Sequence, residues 1–237
     1  MFKLLSTANP KIQKGTKFGY LSFILHLAPS DVSGYNTCPK ATAGCKAACL
    51  NTAGRGGMFK KGETTNVIQK ARIRKTKMYF ENRAAFMSAL LSDINKAIKL
   101  SAKVGLTPVF RLNGTSDLSW EKYEILEGRN IFQMFPNVQF YDYTKVLGRK
   151  VKHIPNYHLT FSKADGNDAD VAQAMEQGMN VTVVFDKIPE TYMGKQVVNA
   201  DETDLRFLDP TGVVLGLKAK GRAKKDTTGF VIMLKTV

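Results

Sequence analysis

The chain has 237 residues, 43% of them hydrophobic, and a mean hydropathy of −0.20, which describes an ordinary globular protein with one sizeable core. No apolar run approaches the roughly 18–20 residues of a membrane helix, and the opening MFKLLSTANPKIQKG lacks the apolar stretch of a secretory signal. The formal net charge is +15, and residues 1–80 concentrate it, with 14 Lys and Arg against only Asp31 and Glu63; such asymmetry is the footprint of a polyanionic partner, a nucleic acid or a nucleotide.

In chain order, Gly19–Leu27 is rich in aromatic and branched residues and reads as a strand. Residues 28–63 are rich in Gly, Pro and Thr and form a long loop, a length that is usually functional or fastened by something. A basic helical segment, 64–104, follows. In its first helix Val67, Ala71 and Met78 share a face, while Arg72, Arg74 and Lys75 crowd the exposed side, where they would track phosphates. Asn82 caps a second helix in which Phe86, Leu90, Ile94 and Ile98 recur. From 105 to 237 short apolar runs alternate with helical patterns. The runs are PVFRLNGTSD (108–117), NVQFYDYTK (137–145), YHLTFSKADGND (157–168), NVTVVFDK (180–187) and GVVLGLKAKG (212–221). Helix candidates lie at Trp120–Met134 and Ala169–Gln177.

This rhythm predicts a single α/β domain over 1–237. Its core would be a partial (β/α) barrel-like parallel sheet, a partial TIM barrel, with the long cysteine-containing loop after the first strand. Each apolar run then turns abruptly polar. In parallel α/β folds the carboxyl ends of the strands share one rim where ligands bind. The candidate catalytic residues are therefore Arg111, Asn113, Asp117, Asp142, Tyr143, Lys145 and Lys218. Two basic turns add phosphate-binding candidates: Arg55 in GRGG, where backbone N–H groups can approach an oxyanion, and Arg222 with Lys224 in GRAKKDTTGF. The acidic stretch ADETDLRFLDP (200–210) offers hard oxygen ligands for Mg²⁺ or a structural pair between Asp204 and Arg206.

All three cysteines, Cys38, Cys45 and Cys49, fall in TCPKATAGCKAACL. In a reducing compartment clustered cysteines bind metal or do chemistry more readily than they form disulfides. Thiolates suit iron–sulfur clusters or zinc. Three of them on a [4Fe–4S] cluster leave one iron open, whereas a closed zinc site needs a fourth ligand, for which His26 is the nearest candidate. Packing of the three as small hydrophobes is the remaining reading.

A three-cysteine loop after a first barrel strand resembles radical S-adenosylmethionine enzymes, in strand order and loop position, although the C-x6-C-x3-C spacing differs from the C-x3-C-x2-C usual there. That resemblance implies a cluster that engages S-adenosylmethionine. Across nearly the whole chain the sequence is similar to the phage gene product 88 family. The stretches that carry it include LHLAPSDVSGYNTCPKATAGCKAACLNTAGRGG, FRLNGTSDLSWE, YHLTFSKADGNDAD and ETDLRFLDPTGVVLGLKAKGRAKKDTTGF. This implies a phage origin and the cytoplasm of an infected bacterial host. Some members carry a label of rolling-circle replication initiation, for which Tyr141 or Tyr143 would be the nucleophile. Three functions stay open. One is an iron–sulfur, radical-type enzyme on a nucleic acid or nucleotide. Another is a nucleic-acid-binding protein with a zinc- or packing-stapled loop. The third is a metal-dependent nuclease or nickase.

Overall fold

In a computed structural model, which describes residues 3–7 and 14–234, the sheet predicted from the strand–helix rhythm is present and open. Its strands, among the described residues, are β1 (Leu5–Ser6), β2 (Tyr20–Leu25), β3 (Thr107–Arg111), β4 (Gln139–Thr144), β5 (Tyr157–Ser162), β6 (Val181–Phe185), β7 (Thr191–Tyr192), β8 (Lys195–Asn199), β9 (Val214–Lys218) and β10 (Val231–Ile232). They lie in the order β1-β2-β3-β4-β5-β6-β9-β8-β7. All neighbours from β2 to β8 along this path are parallel, as in a barrel opened along one seam. Antiparallel β1 covers one edge, and the β7–β8 hairpin forms the other. β10 pairs with Val184 and Phe185 of β6, past the point where β5 leaves that edge at Thr182.

Alternation along the strands sorts the two faces. Phe23, Leu25, Phe110, Leu112, Phe140 and Leu159 point to the helical side. There they meet Phe86, Leu90 and Ile94 of the 21-residue helix whose period-four pattern is plain in the sequence. Phe161, Val181, Val183 and Phe185 continue the same layer under Val171 and Ala174. The opposite face carries Val109, Arg111, Tyr141, Tyr143 and His158, and the chain from 200 to 209 folds back over it, burying Leu205 and Arg206.

Among the described residues the α-helices labelled here, in chain order, are α1 (Ala43–Ala47), α2 (Val67–Glu81), α3 (Arg83–Lys103), α4 (Ile131–Met134) and α5 (Asp168–Glu176). Asn82 caps α3 as its sequence suggests. Three expectations change. α2 turns a polar face inward: Gln69, Thr76 and Tyr79 are buried and Val67 is 79% exposed. Arg72 and Lys75 accordingly point inward, and of the three candidate cations on this helix only Arg74 is fully exposed. The helix expected over Trp120–Met134 is a 3-10 turn at Trp120–Lys122, an extended stretch and the single-turn α4. Trp120 is buried against Tyr79 and Phe86, and its indole N–H is satisfied by donating to Asn113 Oδ1 (3.2 Å). The β7–β8 hairpin was not foreseen; its turn places both Met193 and Gly194 at positive φ, and Met there is a weak turn signal.

Candidate functional site: the cysteine loop and the strand ends

The 28–63 segment lies across the carboxyl ends of the parallel strands, and contacts with the ends of β3, β5, β6 and β9 and with α2 fasten it there. At the β3 end, Thr37 Oγ1 donates to Ala28 O (2.6 Å), Asp117 N donates to Thr37 O (2.8 Å), and Cys38 Sγ sits 3.8 Å from Thr115 O. At the β5 end, Asp165 accepts from Thr42 Oγ1 and from Gly44 N (3.0 Å). Thr42 in turn caps α1 by accepting from Cys45 N (3.1 Å). Gly44 has no room for a side chain, because a Cβ would fall 2.6 Å from Asp165 Oδ1. At the ends of β6 and β9, Ala48 packs on Ala219, Ala223 and Val231, and Gly221 lies against Ala53. From the helical side, Gln69 and Arg72 of α2, with Asn66 at its N-cap, hold the turns at 50–58 by their carbonyls.

The three thiols are therefore carried on one loop over the rim, near enough to act on one another's charge, and none is in a disulfide. Burial first, and then neighbouring thiols, raise the pKa of Cys38 and push that of Cys49 up to about 11, while Arg72 acts on Cys49 in the opposite sense. Without a cation both stay protonated at neutral pH; a bound metal would reverse this. Among the described residues no group of three His, Cys, Asp or Glu side chains is drawn tightly enough for a single ion. Arg72 Nη1 donates to Asn51 Oδ1 (2.6 Å), its Nε is buried without a hydrogen-bond partner, and among the described residues no ion pair joins it to a carboxylate. His26, at the end of β2, is held neutral with a pKa of about 3, first by burial and then by Arg72, Arg111 and Lys75. Among the described residues His26 does not join the cysteines in a group that could hold a single ion.

The seven candidate catalytic residues do not form one constellation. Asn113, Asp117 and Asp142 lie in a buried network beneath the rim. Asp142 accepts from Asn113 N (2.7 Å) and Tyr157 Oη (3.1 Å), and burial raises its pKa to about 7. Asn113 Oδ1 gathers Ser116 Oγ, Leu118 N and the Trp120 indole, so this group shapes the loop after β3. Asp117 accepts from Lys145 N (2.7 Å) and faces Arg149, which also pairs with Glu121. Arg111 and Tyr143 belong to the opposite face: Arg111 pairs with Asp204 (3.2 Å) and lies 4.5 Å over the Tyr143 ring. Tyr141 and Tyr143 both donate to Asp204, and burial raises the pKa of each, so neither is an open nucleophile. Asp204 takes Arg111 as its ion-pair partner, whereas Arg206 pairs with Asp209 (3.2 Å). This part of the acidic stretch is built into the face rather than offered to Mg²⁺.

Lys145 reaches Ser162 Oγ (3.2 Å) at the β5 end. Lys218 lines a cleft of about 150 Å³ with Asp186 and Lys224 at the ends of β6, β9 and β10. Arg55, Arg222 and Lys224 are exposed, and the Ala53–Gly221 contact makes their two turns neighbours across the cysteine loop. Sequence reading missed Asn66 and Gln69, because buried amides leave no periodic signal.

The family model Gene product 88 matches residues 3–233. The chain belongs to this phage family. Neither curated proteins nor solved structures gave a match to set beside it. Every rim residue and every cysteine discussed above falls inside the matched span, so the cysteine loop and the sheet beneath it belong to the family's own region. No helix among the described residues is long and apolar enough to cross a membrane.

Proposed function

We propose that the protein holds an iron–sulfur cluster on Cys38, Cys45 and Cys49 and acts on a nucleic acid or nucleotide drawn to the basic surface around that loop. The observation that carries this reading is the gathering of three unlinked thiols over the strand ends of an open parallel sheet, beside the buried cation of Arg72. The chemistry of the donor set supports the reading: thiolates are soft ligands, and a four-iron cluster would take each of the three on a separate iron. Its net negative charge would also give Arg72 a counter-ion. A cluster held by three thiolates leaves one iron for an outside ligand, and S-adenosylmethionine is the ligand that the radical-enzyme resemblance suggests. Residues of the chain would position the partner: Arg55, Arg222 and Lys224 by charge at the surface, and Lys145 at the β5 end.

The test is iron and acid-labile sulfide content on protein purified without oxygen, with a visible spectrum. About four of each per chain, lost in Cys45→Ser while the fold is kept by circular dichroism, is the expected result. One zinc per chain would replace this reading with a nucleic-acid-binding protein whose loop is stapled by a structural ion. Metal-free protein of unchanged stability would reduce the cysteines to packing.

A further inference from the structure

The segment after the cysteines forms a lobe with an unusual surface. Its backbone is held from within: Asn66 Nδ2 donates to Gly56 O and Met58 O (both 2.9 Å), and Gln69 Nε2 donates to Gly56 O (2.9 Å). With the inner side taken up by these amides, the large side chains face solvent. Met58 is 70% exposed, Leu50 57%, Phe59 37% and Val67 79%. Single exposed apolar residues are commonplace. Here Met58 and Val67 flank the same Asn66, and Leu50 precedes the Asn51 that Gln69 and Arg72 hold. Cations surround them: Arg55, Lys60, Lys61 and Lys70 are all exposed, and Glu63 is the one acid between 50 and 70.

A partner for this lobe must supply both negative charge and flat apolar surface. We infer that the lobe binds single-stranded nucleic acid, with phosphates on Arg55, Lys60 and Lys61 and unstacked bases against Phe59 and Met58. A duplex hides its base faces and would leave Phe59 and Met58 without contact, whereas single strands use aromatic platforms beside a basic track. A flexible strand can follow the basic surface onward, over the Ala53–Gly221 contact, to Arg222 and Lys224. The inference deepens the proposed function and rests on its nucleic-acid half, not on the cluster.

The experiment is fluorescence anisotropy of the full chain with a labelled 20-nucleotide single strand and with its duplex, over a salt series, beside vesicles containing phosphatidylserine. The single strand should bind more tightly than the duplex at every salt concentration. The double variant Met58→Ala/Phe59→Ala should lose roughly tenfold or more for the single strand, with duplex binding unchanged. Lys60→Ala/Lys61→Ala should weaken both and flatten the log–log salt slope for the single strand by about 1.4. Equal affinity for both forms, or an unaffected Met58/Phe59 variant, would overturn the inference and leave the nucleic-acid reading standing. Vesicle binding without binding of either oligonucleotide would overturn both.

Discussion

Asp142 has no solvent exposure, and its two oxygens are met by Asn113 and Tyr157 rather than by a cation. Burial lifts its pKa to about 7. An acid whose folded pKa lies above its unfolded value binds its proton more tightly when folded, so its stabilising contribution is present below about pH 4 and is lost as pH rises through about 7. His26 works the other way. Its folded pKa of about 3 removes stability as pH falls below its ordinary value of 6.5. The two slopes oppose one another between about pH 4 and 6.5, so the informative quantity is the difference between wild type and Asp142→Asn, which keeps the neutral shape. Urea unfolding should show the variant gaining on wild type from pH 5 to pH 8. A difference independent of pH would mean that Asp142 is ionised in the fold throughout.

At the scale of the element, Asn66 serves two structures at once. Its Oδ1 caps α2 by accepting from Gln69 N (3.0 Å), and its Nδ2 donates to carbonyls of the 54–58 turn. Asn66→Ala loses both, and a lost cap plus unsatisfied buried carbonyls should cost about 2–4 kcal/mol in chemical denaturation. Asn66→Asp separates the roles, since it keeps the cap but presents a carboxylate to those carbonyls. Limited trypsin digestion should cut at Arg55 faster in Asn66→Asp than in wild type, with α2 intact. Equal resistance would show that the donors do not hold the turn. The same residues explain what the sequence disclosed of these helices. α3 was legible because Phe86, Leu90 and Ile94 meet the sheet as apolar side chains at regular spacing. α2 was read only in part: Met78 packs on the core and Arg74 is exposed as expected, but what the helix buries most fully is Gln69, Thr76 and Tyr79, and hydrophobic periodicity does not register a buried amide or hydroxyl.

For the molecule as a whole, the parallel strands and the long loop at their carboxyl ends were legible, because parallel strands announce themselves as apolar runs that stop at polar residues. The convergence of seven rim residues was not. A residue at a strand end can point to either face, and Asp142 and Tyr143, adjacent in sequence, go to opposite ones. The 200–209 segment completes the second face, and its anchor is the buried pair of Asp204 with Arg111. Asp204→Ala leaves that guanidinium buried without its partner and should lower unfolding free energy by about 3–5 kcal/mol, the usual result of halving a buried ion pair. The added variant Arg111→Leu should restore much of the loss. A single-variant effect below about 1 kcal/mol would place the anchor elsewhere, in the Leu205 and Phe207 packing.

The clasp between Gly44 and Asp165 joins residues 121 positions apart. Chains leave the ribosome from the N-terminus, so the thiols emerge long before the carboxylate that will pin their loop, and before the β6–β9–β10 end that Ala48 packs against. During synthesis Cys38, Cys45 and Cys49 are thus open to whatever meets them first, whether a cluster donor, an ion or an oxidant. Once residue 165 and the final strand dock, the loop is pinned with its three thiols half-buried. The order of assembly therefore gives the nascent chain an interval in which its cysteines are held by neither clasp nor packing.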